Sequence, residues 1–264
     1  MSPRIAVVTG ASGGIGKGVA ALLAGEGYIV YDVSRSGTDE SGIRHITCDV
    51  CDGAEVDAAV RHIADEAGSI DLLINNAGMG VSGAAEFTAF ADAKYLFDVN
   101  FFGAAAVVCS AVPFMRAGGG GRIINISSVA ADIPIPFQSY YSASKAALSS
   151  FSISMCSELK PFGIDVTAIL PGDTATGFTA SRRKDHDGDD VYNGRISRSV
   201  GVMERDEQNG ASAAYVSKKI VHIAHKKTIR PIYAVGLKYK MFLLLVKLLP
   251  RAISNRIVYM LYAR

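Results

Sequence analysis

Residues 5–16, IAVVTGASGGIG, pass from a β-branched run straight into a glycine-rich turn, and the following VAALLAGEG reads as a helix closed by glycine. A strand delivered into a helix through such a turn leaves few architectures open, and the pattern recurs along the chain. YIVYDV, HITCDV, IDLLI, RIINIS and DVTAIL are further strands. Helical stretches run from Ala54 to Ala67, from about Ala91 to Met115 and from about Tyr140 to Leu159. Strands as uniformly apolar as LLI and IIN suit a parallel sheet covered on both faces. The predicted fold class is therefore a doubly wound α/β sheet in one domain.

The 264 residues are 49% hydrophobic and 20% charged, enough for one large core. Met1 to Arg4 lead directly into the first apolar run, so no secretory leader is expected and the expected compartment is cytoplasmic. Cys48 and Cys51 form a CxxC without a second pair or clustered histidines, and Cys109, Cys156 and the five histidines are scattered. All are read as structural, and no metal is expected. Nothing points to nucleic acid.

Residues 1–172 form the core that holds the chemistry. Residues 173–207, with RRKDHDGDD, are polar and show no long apolar period, which predicts a mobile substrate lid. Residues 208–236, a helix from Ser212 to His225 and the strand IRPIYAV, complete the core. Beyond them, residues 237–264 read as a basic helical tail, with Ile253, Ile257, Met260 and Leu261 on one face. No Asp or Glu follows Glu207, yet residues 208–264 hold 11 of the 27 lysines and arginines in a chain of net charge +2. That asymmetry suggests either an anionic partner or a solvated basic face. The tail's apolar run is too short to span a bilayer, so it can pack on the body, cap the active-site mouth or lie on a membrane surface.

The turn glycines Gly10, Gly14 and Gly16 allow close backbone approach, and the helix N-terminus from Ile15 offers free N–H groups to a pyrophosphate. At the end of the second strand, Ser34 and Arg35 stand where an acid would select a free ribose hydroxyl. A hydroxyl and a guanidinium, helped by Ser12, suit a 2′-phosphate, so NADP(H) is expected over NAD(H). Asp32 is expected to be held away from that strand end by alternation. In YYSASK, Tyr141 and Lys145 are four apart and share a helical face, whereas Tyr140 lies about 140° from Lys145. Tyr141 is then the functional tyrosine, and an adjacent ammonium together with an oxidised nicotinamide ring should pull its phenol below its ordinary value near 10.

TGASGGIG, NNAG at 75–78, Asn100 in DVNFFG, Ser127 and Ser128, YSASK and the Pro171–Gly172 pair, in this order, resemble the short-chain dehydrogenase/reductase family over residues 5–172 and more loosely to about 236. The resemblance implies a Rossmann-like fold, hydride transfer between a nicotinamide cofactor and a secondary alcohol or ketone, and a catalytic tetrad of Asn100, Ser128, Tyr141 and Lys145. The family's serine lies thirteen residues before its tyrosine, which selects Ser128 over Ser127. Ser128 and Tyr141 would bind the substrate oxygen, Tyr141 would exchange the proton, Lys145 would tune it and hold the nicotinamide ribose, and Asn100 would support a proton relay. The resemblance further assigns Asp49 and Val50 to the adenine, Asn76, Ala77 and Gly78 to the adjoining ribose, and Pro171, Gly172, Thr174 and Thr176 to the nicotinamide end. A homodimer or homotetramer, paired through the helices near 91–115 and 141–160, is also implied.

The region after residue 200 is similar to the hydroxysteroid and retinol dehydrogenase branch. It implies a lipophilic substrate, a hydroxysteroid or bile acid, with Ile133, Ile135, Phe137 and Phe178 lining its pocket and the basic tail favouring an acidic side chain. A 3-oxoacyl-(acyl-carrier-protein) reductase shares every motif. An NADP-sensing module without turnover, and a protein whose tail makes peripheral membrane contact, remain the readings of other classes.

Overall fold

The computed structural model describes residues 3–263; Met1, Ser2 and the tail's last cation, Arg264, lie outside the described residues. The strands are β1 (Ile5–Thr9), β2 (Ile29–Ser34), β3 (Ile43–Thr47), β4 (Leu72–Asn75), β5 (Gly121–Ile126), β6 (Ile164–Leu170) and β7 (Ile232–Ala234). They form one seven-stranded parallel sheet in the order β7-β6-β5-β4-β1-β2-β3. The expected doubly wound class is what the chain adopts.

Alternation explains the two cores. In β1, Ile5 and Val7 point into a layer with Tyr31, Ile63, Leu73, Val108, Met115 and Val166, while Ala6 and Val8 face Val19, Leu23, Ile74, Val216 and Ile220. The first layer is covered by α2 (Gly53–Ala67), α4 (Ala104–Ala117) and α5 (Ser139–Glu158), the second by α1 (Gly14–Gly25) and α8 (Ala213–Ala224). Asp52 caps α2 by accepting from the N–H groups of Ala54 and Glu55. Ser212 caps α8 by accepting from Tyr215 N–H.

The long helix predicted near 91–115 is interrupted. α3 (Phe90–Phe97) and α4 are joined by a π turn over Asp98–Gly103, which turns Asn100 inward. The span Phe90–Ala117 is long and apolar enough to cross a membrane. Val107, Val108, Ala111 and Met115 are buried in the core beneath the sheet.

The polar stretch 173–207, read as the substrate lid, carries regular structure although its sequence shows no long apolar period. It holds a short α6 (Phe178–Ser181) and a four-turn α7 (Arg195–Gln208). Ile196, Val200 and Met203, spaced four and three apart, are buried on α7 and pack with Ala84 and Phe137. That spacing is present in the sequence but is masked by the charges between. The tail forms α9 (Leu237–Leu248) and α10 (Arg251–Tyr262).

A chain of buried amides ties the sheet to α5. Asn75 Nδ2 donates to Asn125 Oδ1 at 2.9 Å, Asn125 Nδ2 donates to Ser152 Oγ at 2.8 Å, and Ser152 Oγ donates to the Leu148 carbonyl at 2.7 Å. Truncating Asn125 strands partners in a dry environment. Asn125→Ala should therefore lower unfolding stability by about 1–3 kcal/mol, read as a shift of the urea midpoint at unchanged slope.

Candidate active site

The sheet order places β1 between β2 and β4, so the connections leaving the C-terminal ends of β1 and β4 diverge and open a crevice. One continuous cavity of about 1550 Å³ starts there. Gly10, Ser12, Gly14, Ile15, Ser34, Arg35, Asp49, Val50, Asn76, Ala77, Gly78, Pro171, Gly172, Thr174 and Thr176 all line it, so most of the residues expected to hold a cofactor are brought together.

Three expected site residues lie behind the wall. Gly16 is packed under the loop, where an added Cβ would fall 2.4 Å from both the Gly10 carbonyl oxygen and Asn76 Nδ2. Its smallness shapes the turn rather than touching the crevice. Asn100 is fully buried and acts through the backbone of Met79. Phe137 adopts φ +62 and turns its ring toward Tyr192 and the buried side of α7, at 5.5 Å between centroids, so it anchors the lid and does not line the pocket.

Asp32 also departs from expectation. Residues two apart on a strand share a face, so Asp32 sits beside Ser34, where it accepts from Ala11 N–H at 2.9 Å, from Ser34 Oγ at 2.9 Å and from His45 Nδ1 at 3.1 Å. The carboxylate pins the glycine loop to β2 and is not among the cavity-lining residues. The side chains at the mouth are Ser34, Arg35 and Ser36, with Arg35 exposed and donating to Tyr95 Oη at 3.2 Å.

The cavity's shape fits a dinucleotide. It runs from Arg35, Asp49 and Val50 past the N-terminal turn of α1, which carries no acidic side chain, to Tyr141 and Lys145. Free N–H groups at that turn suit a pyrophosphate, and Asp49 and Val50 suit a base. When bound, the nicotinamide supplies or accepts the hydride.

Tyr141, not Tyr140, faces this crevice. Tyr140 is directed elsewhere, its hydroxyl donating to the Ala85 carbonyl at 3.3 Å. Ser127 is spent structurally, bonded to the Lys145 carbonyl and to Ser149 Oγ. Ser128 stands beside the Tyr141 phenol, whose pKa it lowers, and accepts from Ala130 N–H. Lys145 is buried, donates from Nζ to the Ile126 carbonyl at 2.9 Å, and lies 6.0 Å from the Tyr141 ring centroid. Asn100 accepts from Met79 N–H and donates to the Met79 carbonyl and Ser144 Oγ, which holds the strand-end loop against α5.

Burial dominates the electrostatics of the site. Desolvation pushes the Tyr141 phenol up to about 12, opposed by the Ser128 hydroxyl and by the Arg182 guanidinium. Burial pulls Lys145 itself down to about 8. The tyrosine is therefore a protonated acid throughout the neutral range, and it is the lysine that titrates nearby.

The far part of the cavity comes from the lid and tail. Ile133, Ile135 and Phe178 line it as expected, joined by Val202, Phe242, Leu244 and Leu248. The tail thus caps the mouth, one of the placements its sequence leaves open. Tyr239 fixes it: its hydroxyl donates to Asp173 Oδ2, and its ring occupies the space where a Gly172 Cβ would stand 2.1 Å away. A second anchor, missed in the sequence, is the buried Arg182, paired with Glu207, which also accepts from Thr179 Oγ1. With the Gln138 amide turned so that its oxygen faces the guanidinium, Arg182 donates to it at 3.3 Å. No local pattern marks partners 25 residues apart.

A family model described as short chain dehydrogenase matches residues 4–187. The chain belongs to the short-chain dehydrogenase family. It is an oxidoreductase acting on carbonyl or alcohol groups with a nicotinamide cofactor. It is 38% identical over 230 residues, 86% of each chain, to a 3-ketodihydrosphingosine reductase of Bacteroides thetaiotaomicron. It is 34% identical, over 93% of each chain, to a probable short-chain type dehydrogenase/reductase of Helicobacter pylori. Among solved structures, a short-chain dehydrogenase from Streptomyces avermitilis superimposes with a TM-score of 0.85 at 26% identity, covering 98% of this chain and 95% of that one.

The site geometry separates the two tyrosines. Tyr141→Phe should cut turnover by about a hundredfold or more while cofactor binding persists, and Tyr140→Phe should stay within about twofold of the parent. Because Lys145 loses its proton near 8, the rate of carbonyl reduction should fall as pH rises through that value. In Lys145→Arg any remaining activity should lack that limb, which a pH–rate profile from 6 to 10 resolves, since a guanidinium stays charged over the range (pKa about 12 or higher).

Proposed function

We propose that this protein is an NADP(H)-dependent reductase of a long-chain lipophilic ketone, of the 3-oxo sphingoid-base type. The observation that carries this reading is the unbroken passage from the catalytic residues into an apolar chamber walled by α9 and α10. The cavity is larger than the roughly 300–1,000 Å³ of common small-molecule pockets, so there is room for a dinucleotide and a long chain together.

Three further features support it. Burial raises the pKa of the Tyr262 hydroxyl, and Asp173, Asp206 and Glu207, which line the cavity, raise it further. Glu207 is paired with Arg182, and Asp173 and Asp206 remain as the acidic groups that would meet an amine-bearing substrate. The tail's Lys240 and Lys247 are exposed and do not line the cavity, which weakens the expected preference for an acidic side chain. The relative from Bacteroides, itself named for a 3-keto sphingoid substrate, is similar over most of the chain.

In the proposed reaction, Ser128 and Tyr141 donate hydrogen bonds to the substrate's carbonyl oxygen, which becomes more basic as negative charge develops. Tyr141 then transfers its phenolic proton to that oxygen. Lys145, held by the Ile126 carbonyl on the same helical face as Tyr141, would return a proton, and Asn100 keeps the Met79 backbone and α5 in register. For NADP(H), Arg35, Ser34 and Ser36 at the mouth would meet the 2′-phosphate, since the nearby Asp32 is already committed to Ala11, Ser34 and His45.

A hydroxysteroid is the second reading, favoured by the same apolar walls around Ile133, Ile135 and Phe178. Absorbance at 340 nm distinguishes them when a long-chain 3-oxo amine, a 3-oxoacyl thioester and a steroid ketone are offered with NADPH and with NADH. The long-chain amine should turn over best. Fast steroid turnover with silence on the amine would replace the first reading by the second. Arg35→Ala should raise the KM for NADPH about tenfold and leave that for NADH nearly unchanged.

A further inference from the structure

The outer side of the tail carries an apolar stripe that rims the cavity and extends beyond it. At about 100° per residue, Leu244, Leu237, Leu248, Met241 and Leu245 fall within one arc of about 100° on α9. They are 47–76% exposed. The opposite arc, with Tyr239, Phe242, Leu243 and Val246, packs against β6 and Val258. Lys238 borders the outer stripe on one side and Lys240 and Lys247 on the other, all exposed. α10 repeats the arrangement: Ile253, Met260 and Leu261 are 47–55% exposed on one face, bordered by Arg256.

A helix with an apolar stripe between two rows of lysines, and an inner face already satisfied, has the chemistry of an interfacial helix. Self-pairing is disfavoured, because two such surfaces would bring like charges together with no carboxylate after Glu207 to offset them. We propose that α9 and α10 dock on an anionic lipid bilayer, with the outer leucines among the acyl chains and Lys238, Lys240, Lys247 and Arg256 at the head groups. Met241, Leu244, Leu245, Leu248 and Leu261 both line the cavity and stand exposed, so the chamber opens on the docking face. A lipid ketone can then pass between bilayer and Tyr141 without crossing water. This last step rests on the proposed lipid substrate; the docking does not.

The test is flotation of the full chain with vesicles of phosphatidylcholine alone and of phosphatidylcholine mixed with phosphatidylglycerol. The mixture should retain the protein and the neutral vesicles should retain much less. The double variant Lys240→Gln/Lys247→Gln should weaken binding on the order of thirtyfold. Leu237→Asn/Ile253→Asn should weaken it on the order of tenfold. Neither pair lines the cavity, and circular dichroism reports that each variant folds. Equal retention on both vesicle types, or parent-like binding by both variants, overturns the proposal. Absence of vesicle binding with lipid-free self-association relieved by Leu237→Asn overturns it in favour of a second copy. Vesicle binding without turnover of long-chain ketones leaves the docking standing and removes the substrate reading.

Discussion

The junction between Thr9 and Asn76 is the contact on which the rest of the site depends. Thr9 Oγ1 accepts from the N–H groups of Asn76 and Ala77, each at 3.0 Å, while Asn76 Nδ2 donates to the carbonyls of Thr9 and Gly10. These bonds fasten the end of β4 to the end of β1 at the point where strand order reverses. Everything facing the crevice is referenced to that seam: the glycine loop on one side, and on the other Gly78 and Met79, against which Asn100 is braced. Asn76 lines the cavity, yet its amide hydrogens are committed to this seam, so its contribution to ligand binding is mainly positional.

The second constraint is dielectric. Tyr141 and Lys145 share one helical face, but burial moves them in opposite senses, each toward its neutral form. A phenol that keeps its proton and an ammonium that gives one up readily form a donor and a reservoir. The tyrosine thereby keeps a proton to deliver at neutral pH.

Local chemistry made much of this legible. The strand and helix alternation, the glycine turn, the choice of Tyr141 over Tyr140 and of Ser128 over Ser127 follow from spacing or from motif order, and the structure places these residues accordingly. Errors arose where a side chain's use depends on distant partners. Phe137 reads as a pocket wall until α7 is seen to cover it. Asp32 shares the face of Ser34, yet its carboxylate is committed to Ala11, Ser34 and His45, partners that strand alternation alone does not reveal. Charge density hid the Ile196, Val200, Met203 spacing of the lid, and the Arg182–Glu207 pair has no sequence signature at all.

That pair has a mechanical consequence. Arg182 closes α6 and Glu207 closes α7, and the guanidinium is fully buried. Pulling the two helices apart would strand a charge in a dry interior, a cost of about 3–5 kcal/mol for a buried pair. The two helices therefore stay together as one rigid unit, and with Ile196, Val200 and Met203 packed on Ala84 and Phe137 that unit is held against the body, so the far wall of the chamber is set before a substrate arrives.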